Sequence, residues 1–379
     1  MGWSQYRPVG LSYHDPQRAY RGYTVVVPNG GLPSNEGNEL DHFGMLIDME
    51  GRVCQRWEFD GGLKYGFLLP NGNLLARTRA PDAIDGIEAM GGSSAKIVEL
   101  DWNSNVVWSY ETSMIHHDFE RLPNGNTLVL AWDRIPADLS ARVNGGYTTS
   151  GDPDSMYGDV VLEITPTGLV SNEWRSWEHL DTQEDVICSL EGRVAWTYGN
   201  SIGVAPGGDL IVSYRSTSVV GIVDRTSGNF KWKWGPGQIS HQHHPTYLPN
   251  GRVLMFDNGV HGVGTVRSRV IEVDPNDENR IVWQYVGNPP ASFFSPLTSS
   301  ADRLPNGNTL ICEGSSGRIF EITREHEIVW EYTSPWVLPV FGGQSNALFR
   351  AHRYGLDHPA LAGKDLNPER FANLNQTQA

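Results

Sequence analysis

The sequence predicts an all-β fold, a six-bladed β-propeller with four-stranded antiparallel blades. Three observations predict it: a Pro-Asn-Gly turn that recurs along the chain, a second hairpin after each copy, and a Trp near the end of each second hairpin. The turn series reads VVVPNGG around Pro28, LLPNGNLLA around Pro70, RLPNGNTLVLAW around Pro123, VAPGGDLIVSY around Pro206, YLPNGRVLMF around Pro249 and RLPNGNTLICE around Pro305. Each copy is an apolar run, a tight turn needing Asn or Gly at positive φ, then an alternating strand, which is a β-hairpin. The second series reads MLIDMEGRVCQRWEF, KIVELDWNSNVVWSYE, VVLEITPTGLVSNEW, VVGIVDRTSGNFKWKW, RVIEVDPNDENRIVWQY and RIFEITREHEIVWEY. Two hairpins give a four-stranded sheet, and a sheet repeated six times with one Trp per copy is the pattern of propeller blades. The Trp series, Trp57, Trp108, Trp174, Trp232, Trp283 and Trp330, is expected to fill the space between blades. Asp48, Asp101, Asp224 and Asp274 precede the outer turns and are expected as Asx-type turn residues, while Met49, Met90 and Met156 carry no message.

Residues 1–363 read as one propeller domain and 364–379 as a polar, loosely held C-terminal tail. The segment beyond Ser334 is expected to close the repeat. Insertions at 80–94, 134–158 and 175–195 interrupt the even spacing, and long loops on a regular scaffold are where binding concentrates.

Composition excludes some partners. The formal net charge is −15, from 29 basic and 44 acidic residues, which disfavours nucleic acid and anionic membranes. Cys54, Cys188 and Cys312 are odd in number and form no CxxC, so a disulfide scaffold is not expected. The opening MGWSQYRPVG shows no apolar leader core, and the expectation is a cytoplasmic protein with no membrane segment.

The turn proline serves as a ruler for function. Six residues before it lie Lys64, His117, Asn200, His243 and Ser299; nine after it lie Arg79, Trp132, Arg215, Asn258 and Gly314. A hairpin returns its two ends to the same edge, so these side chains are expected at one end of the blades. Tyr198, two residues before Asn200, is expected on the same strand face. Arg is a bidentate donor to oxyanions, a neutral His is a base or nucleophile near pH 7, and a Tyr beside Arg is an acid–base group. The expected partner is a small anionic or phenolic substrate.

The stretches HHDFERLPNGN (116–126), VSYRSTSVVGIVDRTSGNFKWKWG (212–235) and QHHPTYLPNGRVLMFDNG (242–259), with the repeated LPNGNTL turns, resemble the bacterial arylsulfotransferase family over roughly residues 40–335. The resemblance implies a six-bladed propeller that moves a sulfuryl group from an aryl sulfate to a phenol without a nucleotide cofactor, through a transiently sulfurylated histidine. It implies that His243, in a Gln-His motif, is the nucleophile, that His117, followed by Asp, is a second catalytic histidine, and that Arg215, in a Ser-x-Arg stretch, binds sulfate. A family His-x-Asn motif meets Tyr198-Gly199-Asn200 here, so Asn200 is kept and a histidine becomes Tyr198. The site set is therefore His243, His117 and Tyr198 as catalytic groups, with Arg215, Asn200, Arg79 and Asn258 on the substrate.

Three alternatives stand beside sulfuryl transfer. A lyase or hydrolase on a carboxylate-bearing substrate would use His117 or His243 with Tyr198 as base and acid, and Arg215 as counter-charge. A zinc or other divalent metal site would use His241 and His243, two apart on a strand, with His117 and either His261 or His42. The bland reading for His241 and His244 is strand-end hydrogen bonding. The last alternative is an interaction platform without catalysis.

Overall fold

The computed structural model describes residues 8–29, 43–79, 90–148, 155–340 and 343–376. The Gly30–Gly31 end of the first turn motif, residues 80–89 of the first insertion, residues 149–154 of the second, and His42 lie outside them. The strands form six four-stranded antiparallel sheets, the expected six-bladed β-propeller. Contacts group the chain into two compact units, 1–113 with 297–379, and 114–296.

The first unit holds three blades. Blade 1 combines His352–Gly355, Gly22–Val26, Phe43–Ile47 and Val53–Glu58; blade 2 is Leu63–Leu68, Leu74–Thr78, Lys96–Leu100 and Val106–Glu111. Blade 6 is Ser300–Arg303, Thr309–Glu313, Arg318–Ile322 and Ile328–Thr333, with Gly10–His14 added as a fifth strand. Blade 1 thus draws strands from both ends of the chain, as expected for the segment beyond Ser334. It also corrects the repeat count: Pro28 follows the second strand of its blade, so it is not a first-hairpin turn. That hairpin has no turn, because its first strand comes from the far end of the sequence.

The second unit holds blade 3 (Ile115–Arg121, Thr127–Arg134, Tyr157–Ile164, Val170–Arg175), blade 4 (Gly199–Val204, Leu210–Tyr214, Val219–Val223, Phe230–Trp234) and blade 5 (His243–Tyr247, Val253–Asp257, Arg269–Asp274, Arg280–Tyr285). The insertions of this unit are built structure rather than plain loop. Gly145–Tyr147 pairs in parallel with Ile187–Gly192, above an apolar cluster of Ile135, Val143, Met156, Val160, Trp177, Ile187 and Trp196. Met156, which carried no message in sequence, is core.

The turn motif has a side-chain reason. The last Asn of the PNGN copies donates into a carboxylate on the third strand of its own blade: Asn73 to Glu99 at 2.7 Å, Asn126 to Glu163 at 2.6 Å and Asn308 to Glu321 at 2.6 Å. In blade 5 the PNGR copy puts Arg252 on Glu272 at 3.1 Å. These bonds satisfy a carboxylate that is buried, or at Glu163 partly buried, and fix the first hairpin against the second. The Asx turns form as expected, with Asp48, Asp101, Asp224 and Asp274 each accepting from backbone N–H groups within the turn.

The Trp series bolts blade to blade. Trp174 Nε1 donates to Gly228 O at 2.9 Å, Trp232 Nε1 to Asn279 Oδ1 at 2.5 Å, and Trp330 Nε1 to Met49 O at 2.8 Å, each reaching an outer turn of the next blade. Trp57 and Trp330 are fully buried and the other four half-buried.

The tail departs from the expectation of looseness. Phe371 and Leu374 pack on the blade 1 and blade 6 core, and Asn375 Oδ1 accepts from Val53 N at 2.8 Å. A mostly polar segment is held here by a few apolar contacts and one side chain that completes a strand edge. Among the described residues, no helix is long and apolar enough to cross a membrane.

The deepest ion pair of the first unit is Arg353 Nη1 on Glu321 Oε2 at 2.7 Å, both side chains fully buried. Glu321 also accepts from Asn308 and from Tyr20 N at 2.8 Å. Glu321→Ala leaves Arg353 buried and uncompensated, and is expected to cost about 3–5 kcal/mol in urea unfolding. Arg280→Ala, which removes the exposed pair with Asp277, is expected to cost under ~1 kcal/mol in the same measurement.

Candidate functional site

The predicted residues of the second unit sit where first strands leave regular pleating. In blade 3 the pair Val129–Phe119 is followed by Ala131–Ile115, so His116, His117 and Asp118 face Leu130 alone. In blade 4 the pair Gly199–Tyr214 is followed by Ser201–Ser213, which leaves Asn200 as the extra residue. In blade 5 the pair His243–Phe256 is followed by Thr246–Leu254. The backbone around these bulges is left-handed at His117 (φ 43°), Tyr198 (φ 51°), His241 (φ 58°) and His244 (φ 52°). Such φ values cost non-glycine residues about 1–3 kcal/mol each and mark positions that the surroundings hold in place.

Asp159 Oδ2 accepts from Gly199 N at 2.8 Å and from the Thr197 hydroxyl. A Cβ at position 199 would stand 2.9 Å from the Asp159 carboxyl carbon, so only glycine allows this approach. Asp118 Oδ2 accepts from Ile202 N at 2.9 Å, tying blade 3 to blade 4. Gln242 Nε2 donates to Ser213 Oγ at 2.9 Å and Val219 O at 3.0 Å, tying blade 5 to blade 4, while Gln242 O accepts from Asn200 Nδ2 at 2.8 Å. Asn200 is therefore directed toward blade 5. Tyr198 instead stacks edge-on against His117 (ring centroids 5.5 Å) and Trp132 (6.1 Å) of blade 3. The expectation that Tyr198 and Asn200 share a face fails, because the left-handed Tyr198 and the bulge at Asn200 reset the alternation.

His243 is buried and oriented. Its Nδ1 lies 2.7 Å from Asn258 Oδ1 and 3.1 Å from His241 O. Asn258 Nδ2 donates to Ser295 O at 2.7 Å, which fixes the amide so that its oxygen faces the histidine. Both neighbours of Nδ1 are acceptors, so Nδ1 carries a hydrogen, and in the neutral ring the lone pair is on Nε2. Asn258, expected on the substrate, places its amide oxygen on His243 Nδ1.

Around Tyr198 the structure brings together Arg215 and His117. Arg215 Cζ lies 5.9 Å from the Tyr198 ring centroid, and Arg215 N donates to Tyr198 O at 3.2 Å. Arg215 Nη1 is paired with Glu191 Oε2 at 2.9 Å, while its Nε is buried without a hydrogen-bond partner. Behind His117 stands His116, with Nδ1 atoms 3.0 Å apart and His116 Nε2 at 3.1 Å from Asp159 Oδ1. Arg79 and Lys64 belong to the first unit; Lys64 is the bulge residue of blade 2, and Arg79 is half-buried after its second strand.

A second cluster was only half anticipated. His241 is fully buried and neither ring nitrogen has a hydrogen-bond partner, which removes the strand-end reading for it. Its ring meets His261 edge-on at 4.5 Å, and donor atoms of Cys188, His241 and His261 lie within 4.8 Å of one another. Burial pushes the His241 pKa down to about 3, aided by Arg215, His261 and His243 nearby. The metal grouping expected from His-x-His spacing, His241 with His243 and His117, is not formed among the described residues. His241 is left-handed and lies before the strand, so it does not share a face with His243. A groove of 690 Å³ lined by Arg18, Tyr20, Arg21 and Asn306 belongs to the first unit and holds none of these residues.

A model of the arylsulfotransferase (ASST) family matches residues 87–335, more than half of the chain. The chain belongs to that family. No curated protein matches it significantly. Among solved structures it is similar to a protein of unknown function from Bacteroides caccae, at 14% identity and TM-score 0.55, covering 88% of this chain and 98% of that one. It also matches a functionally unknown protein from Desulfotomaculum acetoxidans (11% identity, TM-score 0.48, 89% and 100% covered) and virginiamycin B lyase from Staphylococcus aureus (11%, 0.46, 82% and 85%). At these identities the first likeness speaks for the fold alone.

In this arylsulfotransferase-family chain the sequence reading missed Glu191, Cys188, His116, Asp159 and Gln242. Glu191 and Cys188 come from the 175–195 insertion and have no repeat register to mark them. His116 and Gln242 stand beside chosen residues, and their roles show only in partners from other strands. The three thiols differ: Cys54 is buried, its pKa pushed up to about 12 mainly by burial; Cys312 is buried and pushed up further; Cys188 is half-buried. Chelator-stripped native protein is expected to release one equivalent of thionitrobenzoate quickly with Ellman's reagent, and three in denaturant. Cys188→Ser should abolish the fast equivalent, and a fast phase persisting in that variant would contradict the burial pattern.

Proposed function

We propose that this chain transfers a sulfuryl group from an aryl sulfate to a phenolic acceptor through His243. The observation that carries the reading is the fixed tautomer of His243: Asn258 and the His241 carbonyl hold the hydrogen on Nδ1, so Nε2 presents its lone pair. In-line attack by Nε2 on sulfur forms an N–S bond as the S–O bond to the leaving phenolate breaks; the phenolate takes a proton. The acceptor phenol then gives up its proton as its oxygen attacks the sulfuryl group and frees His243. His117 and Tyr198, in ring contact, are the proton carriers, and His116 lies against His117 Nδ1 with Asp159 beyond it. Arg215 supplies a buried donor, Nε, still without a partner, which suits a sulfuryl oxygen. Asn200 contributes by bracing the His243 segment through Gln242 O. No nucleotide or metal enters the reaction as written, and the cytoplasm is the proposed compartment.

A second reading, elimination or hydrolysis on a carboxylate-bearing substrate, is favoured by one feature: Tyr198 lies between His117 and Arg215. In it Tyr198 and His117 act as acid and base, and Arg215 neutralises the carboxylate.

Incubation with 4-nitrophenyl sulfate, with and without a phenol, separates the readings. Nitrophenol release that requires the acceptor, with sulfated phenol as product, is the expected result; acceptor-independent release or none argues against transfer. His243→Ala is expected to lower turnover by on the order of 10³-fold or more while the unfolding midpoint stays close to wild type. Tyr198→Phe is expected to lower it by ~10²-fold or more through the proton-transfer step. Wild-type rates in His243→Ala would remove the nucleophile.

A further inference from the structure

The strongest unassigned feature is the cluster formed by the 175–195 insertion against two loops of blade 5. Cys188 and Glu191 lie on the strand Ile187–Gly192, His241 just before the strand His243–Tyr247, and His261 after the strand Val253–Asp257. Cys188 Sγ is 3.4 Å from His261 Nδ1. Glu191 Oε1 is 3.6 Å from His261 Nδ1 and also 3.6 Å from His241 Nδ1. These last distances are too long for hydrogen bonds. They match another geometry. A tetrahedral zinc ion, with Zn–N about 2.0–2.1 Å and Zn–S about 2.3 Å, sets neighbouring donor atoms about 3.3–3.6 Å apart.

His241 supplies the independent observation. It is fully buried, and both ring nitrogens lack a hydrogen-bond partner, although a buried polar group of this kind ordinarily finds one. A residue with left-handed backbone, whose ring Nδ1 faces a carboxylate at non-bonding distance, is accounted for by an ion between them. We infer that Cys188, His241, His261 and Glu191 bind a zinc-class divalent cation. The donor set of one sulfur, two imidazole nitrogens and one carboxylate oxygen suits borderline zinc and disfavours magnesium and calcium, which take oxygen donors. Cys188 binds as thiolate and gives its proton to solvent; thiolate and carboxylate together balance the ion's two charges. Arg215 Nη1 holds Glu191 by its other oxygen, Oε2, at 2.9 Å, which leaves Oε1 facing the two histidines. Both ends of the inserted strand's contact with blade 5 are then fastened by one ion. The sulfuryl-transfer reading is not needed for this site, and His243 is not a ligand in it.

The test uses full-length, untagged protein stripped with a chelator and then titrated with Zn²⁺, and separately with Co²⁺. The expected result is about one zinc retained per chain after gel filtration. Cobalt should give a thiolate-to-metal charge-transfer band in the near ultraviolet with intense visible bands of a tetrahedral site. Zinc should also suppress the fast reaction of Cys188 with Ellman's reagent. Cys188→Ser should lose the charge-transfer band. His261→Ala, at a partly exposed loop position, should weaken zinc binding by ~100-fold or more, beyond the effect of outer-shell partners. No stoichiometric zinc in the wild type overturns the proposal, as does binding unchanged in both variants. Because these measurements contain no substrate, failure of sulfuryl transfer leaves them intact, and the reverse.

Discussion

The carboxylate on the third strand of the blade, buried in blades 2, 5 and 6 and partly buried in blade 3, is the constraint from which the site follows. Glu99, Glu163, Glu272 and Glu321 each take a bond from the turn that joins the first two strands of their own blade. A buried, unpaired carboxylate is costly, so a hairpin slipped by one residue would forfeit that bond as well as its apolar face. The turn is thereby pinned, and with it the number of residues from the turn to the end of the first strand. His117 and His243 each stand six residues before the turn proline, so the pinned turn sets their places in blades 3 and 5. Blade 4, whose turn reads PGGD, makes the tie differently: Lys231 on the fourth strand binds Asp209 at 2.8 Å and Asp224 at 2.9 Å.

This explains what could be read in advance. Repetition made the blades legible, and the proline ruler picked out His117, Asn200, Arg215, His243 and Asn258 because spacing from a pinned turn is a one-dimensional quantity. Period-two alternation failed at the same place. A bulge adds a residue and a left-handed residue turns the chain, so Tyr198 faces blade 3 while Asn200 faces blade 5. The same cause undid the pairing of His241 with His243. Glu191 and Cys188 were invisible for a different reason: they arrive on an inserted strand with its own apolar cluster, and no repeat says where that strand packs.

The polar interior also shows a division of labour among amides. Gln242 and Asn258 are both buried and both spend their N–H groups on backbone or hydroxyl oxygens of neighbouring segments. Their oxygens then face a fixed direction. For Asn258 that direction is His243 Nδ1, so a carbonyl of the fold, Ser295 O, sets the histidine tautomer through one intervening amide.

His241 joins the two clusters through different atoms. Its carbonyl is one of the two acceptors at His243 Nδ1, and its ring faces Glu191 and His261. The carbonyl direction is set by the left-handed backbone at His241, and that conformation persists only while something fixes the residue. Hydrogen bonds do not fix the ring, since it has none; Ser218 Oγ accepts from His241 N at 3.3 Å, at the long end of the range. An ion bound to the ring would supply the missing restraint. It would steady the carbonyl that orients His243 and, through Glu191, the guanidinium beside Tyr198. The bound metal would then act on the proposed reaction by posture alone: its loss would loosen the geometry of both His243 and Arg215 while leaving every reacting atom in the chain.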